Sequence, residues 1–208
     1  LYKDQTYFLA QVPKKQFENV LFPLGEITKP EVRKIAKEYD LITADKKDST
    51  GICFIGERNF SKFLENYLPN QEGDIVNIET KEKIGRHIGL MHYTIGQRRG
   101  LNIGGTDERM FVCGKDLNKN ILYVCLKDNN EYLYSTSAII EDVNLLSNLE
   151  DECMAKFRYR QNDNPVKIKK LDNNELLVTY PDGIKAVTPG QVCVLYKDDL
   201  CIGSGIVK

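Results

Sequence analysis

The stretch ELLVTYPDGIKAVTPGQVCVLYKDDLCIGSGIVK, residues 175–208, decides the fold. It holds four apolar runs, at 175–180, 184–187, 191–196 and 201–207, separated by turn residues that include Pro181-Asp182-Gly183 and Pro189-Gly190. Runs this short, bounded by glycine, proline and aspartate, read as strands. Working backwards, 166–171, 153–160 and 138–143 have the same character, and Asp172-Asn173-Asn174 supplies another turn. Many short strands at this spacing predict a closed or nearly closed antiparallel barrel.

Further upstream, 110–113 and 121–126 flank a polar loop from Gly114 to Asn120, the pattern of a hairpin. Residues 74–78 alternate, 80–83 form a polar turn, and Pro69-Asn70-Gln71-Glu72-Gly73 reads as a boundary. A glycine-punctuated segment follows through Gly105, but it lacks the G-x-G-x-x-G order of a dinucleotide site. In the first third, Thr28 and Glu31 make a capping box with Pro30 in the first turn. This predicts a helix over 29–39 whose apolar residues Val32, Ile35, Ala36 and Tyr39 pack inward. Three domains are expected: 1–68, 69–135 and 136–208.

Chemistry concentrates in KKDSTGICFIGERNF, residues 46–60, around Cys53. A thiol acts through its thiolate, which nearby cations or a helix N-terminus favour. Lys46, Lys47 and Arg58 are close, and Phe60, Phe63, Leu64, Tyr67 and Leu68 follow a helical stripe. Gly51 and Gly56 permit tight turns on either side. The other reading is a small buried residue between Ile52 and Phe54, and the residues alone leave both open.

At 208 residues with 41% hydrophobic residues, the chain has room for one to three small domains. No apolar run approaches the length of a membrane span, and LYKDQTYFLA lacks the order of a signal peptide. A cytoplasmic protein is expected, with an organelle version left open. The six cysteines show no CxxC pair, and His87 and His92 have no third partner, so neither a zinc site, nor any other metal site, nor a disulfide framework is indicated. Residues 128–152 carry seven acidic side chains and no Lys or Arg, which reads as a linker. Residues 153–170 then bear Lys156, Arg158, Arg160, Lys167, Lys169 and Lys170 against only Asp163. A second basic cluster comprises Lys81, Lys83, Arg86, Arg98 and Arg99. Such patches on a chain of net charge −1 suit a locally gripped polyanion, or else a solvated face. If 153–160 is one strand, Arg158 and Arg160 share a face with Tyr159 on the other.

Along nearly its whole length the sequence resembles the tRNA 2-thiouridylases, which thiolate the wobble uridine of certain tRNAs. The resemblance rests on KDQTYFL from Lys3, FPLGEITKPEVRKIA from Phe22, DSTGICFIGERNF from Asp48, GLMHYTIGQRRGLNIGG from Gly89 and TPGQ from Thr188, in the family's order. It implies an α+β protein: a helical remnant of an α/β PP-loop domain, a small mostly-β central domain and a C-terminal antiparallel β-barrel similar to one in translation factors. It implies that Cys53 is catalytic, carrying a persulfide whose sulfur goes to C2 of the uracil. It further implies that Lys3, Asp4, Gln5, Arg158, Tyr159 and Gln191 contact tRNA, with Gln97-Arg98-Arg99 inferred as phosphate-facing.

The implied activity is that of a tRNA-uridine 2-sulfurtransferase. ATP with Mg would adenylate the uracil O2, a cysteine desulfurase or sulfur relay protein would load Cys53, and a second cysteine would attack the persulfide and leave a disulfide. The family's SGGxDS motif and that second cysteine are absent from this sequence. The ATP site is therefore expected outside the chain, which reads as the C-terminal part of a longer enzyme and binds no cofactor itself. The rival from another class is a non-catalytic tRNA-binding module in which Cys53 is structural.

Overall fold

The computed structural model describes residues 6–47, 65–104, 108–127 and 130–208. Two compact units emerge, residues 16–69 and residues 1–15 together with 70–208. In the smaller unit, helix α2 (Lys29–Glu38) follows a short α1 (Thr6–Leu9) that belongs to the larger one. The capping residues work as expected: the Thr28 backbone N–H and hydroxyl both donate to Glu31 Oε2, at 2.7 and 2.6 Å. These bonds, the hydroxyl's first, hold the Glu31 carboxyl below the usual carboxylate range. The expected inward packing is not seen, since no residue of α2 is buried and Ile35 is 42% exposed. Leu21, Phe22, Leu24, Leu41 and Ile42 are exposed nearby in sequence, so this unit buries little apolar surface among its described residues.

The larger unit holds two sheets. The first has strands β1 (Gly73–Asn77), β2 (Lys83–His87), β3 (Met110–Asp116) and β4 (Ile121–Leu126) in the order β2-β1-β4-β3. β1 and β4 run parallel, while β1–β2 and β3–β4 are antiparallel. The predicted hairpin is present, its turn closed by Asp116 Oδ1, which accepts from the N–H groups of Asn118 and Lys119 at 3.1 and 2.9 Å. Ile75, Val112, Leu122 and Val124 are fully buried and carry this core, with Leu90, Tyr93, Leu101 and Met110 against them. Buried Asn77 ends β1 by accepting from Glu79 N–H at 2.9 Å, an Asx turn.

The second sheet is the closed barrel foreseen from the C-terminal runs. Its strands are β5 (Tyr134–Leu145), β6 (Glu152–Lys156), β7 (Asn164–Lys170), β8 (Leu176–Lys185), β9 (Val192–Lys197) and β10 (Leu200–Val207), in the order β10-β5-β8-β7-β6-β9 with β9 closing on β10. Phe157, Ile140, Leu195 and Ile202 fill the interior, and Phe157 meets Tyr180 edge-on at 5.3 Å. Backbones approach closely at Gly205, where a Cβ would collide with Ile140 and the Glu141 carbonyl.

Three expectations change. The acidic stretch is not a linker, because its middle is β5, the longest strand, whose acidic residues Glu141 and Asp142 lie on strand positions while apolar neighbours such as Ile140 point inward. Pro181-Asp182-Gly183 does not split two strands. The β5–β8 register runs from Ser137↔Thr179 to Ser135↔Ile184, so those residues form a bulge within one strand, helped by Gly183 at φ +66°. Finally, β6 stops at Lys156 rather than continuing to Arg160. There the Phe157 N–H donates to the Gln161 side chain at 2.8 Å, and a turn from Arg158 to Gln161 replaces the ladder.

Candidate nucleic-acid interface

The short α1 and the chain just after it are sewn onto the outside of the barrel. Ala10 is buried against Val194 and Tyr196. Its carbonyl accepts from the buried Ser204 hydroxyl at 2.7 Å and from Asn144 Nδ2 at 2.8 Å. Asn144 Nδ2 also donates to the Val12 carbonyl at 3.1 Å, and Gln11 Nε2 donates to Ser204 Oγ at 3.0 Å. β5 and β10 thus hold the segment from both sides.

Tyr7 is the centre of this region. Its hydroxyl donates to the Val192 carbonyl at 2.7 Å, and its ring lies 6.0 Å from that of Tyr159. Phe8, 61% exposed, lies 4.5 Å from Tyr159 between ring centroids. Burial raises the Tyr7 hydroxyl from the ordinary value of 10.0 to about 12, with Cys193 and Tyr196 adding to it and Arg158 opposing. Tyr159 and Val192, the residue after Gln191, therefore both meet the N-terminal segment at Tyr7. The Gln191 backbone is tied to Thr188 and Val207, while its side-chain Oε1 is enclosed without a hydrogen-bond partner.

Arg158 departs from the sequence expectation. With β6 ended, strand alternation does not apply, and Arg158 and Arg160 are not a matched pair on one face. Arg158 Nη2 donates to the carbonyls of Ile95 and Ala186 at 2.9 and 2.8 Å, whereas Arg160 is exposed. The Gln97 side chain is engaged locally: its amide oxygen accepts from Thr94 N–H at 3.0 Å and its nitrogen donates to the Arg99 carbonyl at 2.9 Å. Arg98 and Arg99 are exposed. Part of the basic run is neutralised by pairs invisible to linear charge counting. Lys156 meets Asp163 at 3.4 Å and Lys167 meets Glu152 at 3.1 Å.

Cys53, Lys3, Asp4 and Gln5 lie outside the described residues. Four of the five described cysteines offer poor nucleophiles. Burial raises the thiols of Cys113, Cys125 and Cys193, and lifts that of Cys153 to about 11. His87 is buried, and its Nδ1 accepts from Gly89 N–H at 3.1 Å, which leaves Nε2 as the donor to the Asn120 carbonyl. Among the described residues, no group of three or more His, Cys, Asp or Glu side chains could hold a metal ion, and no helix is long and apolar enough to cross a membrane.

Three family models match in succession. They are described as a tRNA methyl transferase HUP domain over residues 1–57, a tRNA methyl transferase PRC-barrel domain over 61–126 and an aminomethyltransferase beta-barrel domain over 135–207. The tRNA-specific 2-thiouridylase MnmA of Mycoplasma capricolum is 53% identical over 213 residues, 99% of this chain and 57% of that protein. Those of Mesoplasma florum and Acholeplasma laidlawii are 55% and 56% identical, again over 99% of this chain and over 57% and 56% of their own lengths. The chain belongs to the tRNA-specific 2-thiouridylase family. It spans little more than half the length of these curated thiouridylases.

The sequence pointed to Tyr159 and Gln191 but missed what unites them. Tyr7 and Phe8 were visible only as part of a short apolar run, and nothing local marked Ser204 or Asn144 as the residues that fix the N-terminal segment of a thiouridylase-like chain to its barrel.

Proposed function

We propose that this chain takes part in sulfur transfer to C2 of the wobble uridine of tRNA, with Cys53 carrying the sulfur as a persulfide. Lys3, Asp4, Gln5, Arg158, Tyr159 and Gln191 are proposed as the tRNA-facing set, on three domains spanning 1–68, 69–135 and 136–208. The observation that supports this reading is the convergence on Tyr7. One hydroxyl and one ring gather the segment after Lys3-Asp4-Gln5, the turn holding Tyr159 and the start of β9 beside Gln191. An exposed aromatic next to exposed arginines suits unpaired bases and phosphates.

Cys53 is singled out by its place in the motif that resembles the family's; burial raises the thiols of Cys113, Cys125, Cys153 and Cys193, which makes them poorer sulfur carriers. Sulfur would arrive from a cysteine desulfurase or a relay protein, in the cytoplasm. The sequence contains no glycine-rich phosphate-binding motif, so activation of the base by ATP is assigned to residues outside this chain. The persulfide needs an accessible thiolate, and Gly51 and Gly56 allow the flanking backbone to turn around it.

A second reading follows from the same span of just over half the relatives' length: on its own the chain is a tRNA-binding module in which Cys53 is structural. Anisotropy of a labelled tRNA transcript with the purified chain tests the shared part. Tyr159→Ala and Gln191→Ala are expected to weaken binding about tenfold each, and binding indifferent to both overturns it. Sulfur loading of Cys53 separates the enzyme reading from the module.

A further inference from the structure

The geometry assigns Arg158 a positioning role: it locks the turn carrying Arg98 and Arg99 to the rim of the barrel, so that these two and Arg160 meet one RNA backbone as a fixed set of cations. This rests on the RNA-binding reading and gives one of its residues a second job.

One amino group of the Arg158 guanidinium is already committed. Its Nη2 donates to Ile95, 63 residues away between the first sheet's strands, and to Ala186, 28 residues away just after β8. Its Nε is enclosed without a partner. Nη2, with both its protons given to backbone carbonyls, has none left for a phosphate, so this end of the side chain serves the fold.

Both carbonyls are held for it. Ala186 sits at φ +57°, in the left-handed region that an alanine adopts at a cost, and is kept there by its N–H donating to the Leu133 carbonyl at 2.6 Å. The Thr188 hydroxyl shares the Ala186 carbonyl with Arg158 at 3.0 Å. Across from it, Gly96 has φ +84°, and a Cβ there would lie 3.0 Å from the Ala186 Cβ. A Cβ at Gly96 would press on Ala186 in a backbone conformation that L side chains rarely adopt, so substitution there is strained.

The turn transmits this anchor. Gly96 N–H donates to the Val112 carbonyl at 2.7 Å, and Val112 N–H to the Gln97 carbonyl at 2.9 Å. The Gln97 side chain then binds both Thr94 and Arg99. These bonds tie the backbone of the turn from Thr94 to Arg99 together and to Val112. Cations held in place bind a polyanion without the ordering cost that loose side chains incur.

The test compares the full chain with R158A, R98A/R99A, the triple variant and G96A, by tRNA-transcript anisotropy over a salt series and by amide exchange of residues 95–97. R98A/R99A should lower the salt slope by about 1 to 2. R158A should speed exchange in the turn and weaken binding, and adding R98A/R99A to it should cost less than about twofold more, since coupled residues are not additive. G96A, which removes no charge, should reproduce the weakened binding, and it keeps the test open if R158A fails to fold. Effects of R158A and R98A/R99A that multiply, exchange unchanged by R158A, or binding unaffected by G96A would overturn the positioning role. If R98A/R99A leaves affinity and salt slope unchanged, this inference fails while tRNA binding stands. A wild-type chain that does not bind the transcript overturns the RNA-binding reading, and this inference with it.

Discussion

Tyr7 donates its hydroxyl proton to the Val192 carbonyl at 2.7 Å, joining residues 185 positions apart. Tyr7→Phe keeps the ring beside Tyr159 and removes only this bond. The expected loss is about 1 kcal/mol of unfolding free energy, the usual net value of one hydrogen bond. Urea unfolding measures it, and an unchanged midpoint would show that the bond does not hold α1 to the barrel.

The same residue predicts an alkaline limit. Burial, the largest of the causes, raises the folded Tyr7 above the ordinary value of 10.0, to about 12. The unfolded chain then loses this proton first, so the contribution is intact below about pH 10 and is lost as pH rises towards 12. The unfolding midpoint of the wild type should fall over that window more steeply than that of Tyr7→Phe. Parallel curves contradict the assignment.

Ser204→Ala removes the donor to the Ala10 carbonyl and the acceptor for Gln11. Asn144→Ala removes the second donor to that same carbonyl. Because they share an acceptor, the double variant should lose more than the sum of the singles, by about 0.5 to 2 kcal/mol of coupling. Faster proteolysis at residues 6–12 should accompany it, and simple additivity counts against the shared anchor.

Gly73→Ala should be among the costlier glycine changes. A Cβ there collides with the Asn120 carbonyl and comes within 2.5 Å of His87 Nε2, the pair that joins β2 to the hairpin turn. The expected penalty is about 2 to 4 kcal/mol, as for overpacking with a broken buried hydrogen bond. Thermal unfolding reads it, and a neutral result contradicts the close packing described.

Much of this fold was legible because it is local. Thr28 and Glu31 announce a helix start by a bond three residues long, and the β3–β4 hairpin is written in two apolar runs and a polar loop. The barrel followed from the spacing of turn residues, yet Pro181-Asp182-Gly183 was misread, since a bulge and a turn use the same residues and only the β5 partner distinguishes them. Arg158 failed for a similar reason. Strand alternation predicts a side chain's direction only while the strand lasts, and Gln161, reaching back to Phe157, ends it. The acidic run misled because composition ignores which strand will pair beside it. The site was legible as separate pieces, and what joins them, Tyr7 to Val192 and Ser204 to Ala10, spans almost the entire chain and leaves no local trace.

The central claim is that Cys53 carries the sulfur. Incubating the chain with a cysteine desulfurase and cysteine bearing radiolabelled sulfur, then resolving it without reductant, tests this directly. The account predicts label on the wild type that disappears in Cys53→Ala and persists when Cys113, Cys125, Cys153, Cys193 or Cys201 is changed to alanine. Label that survives in Cys53→Ala, or never appears on the wild type, would contradict it.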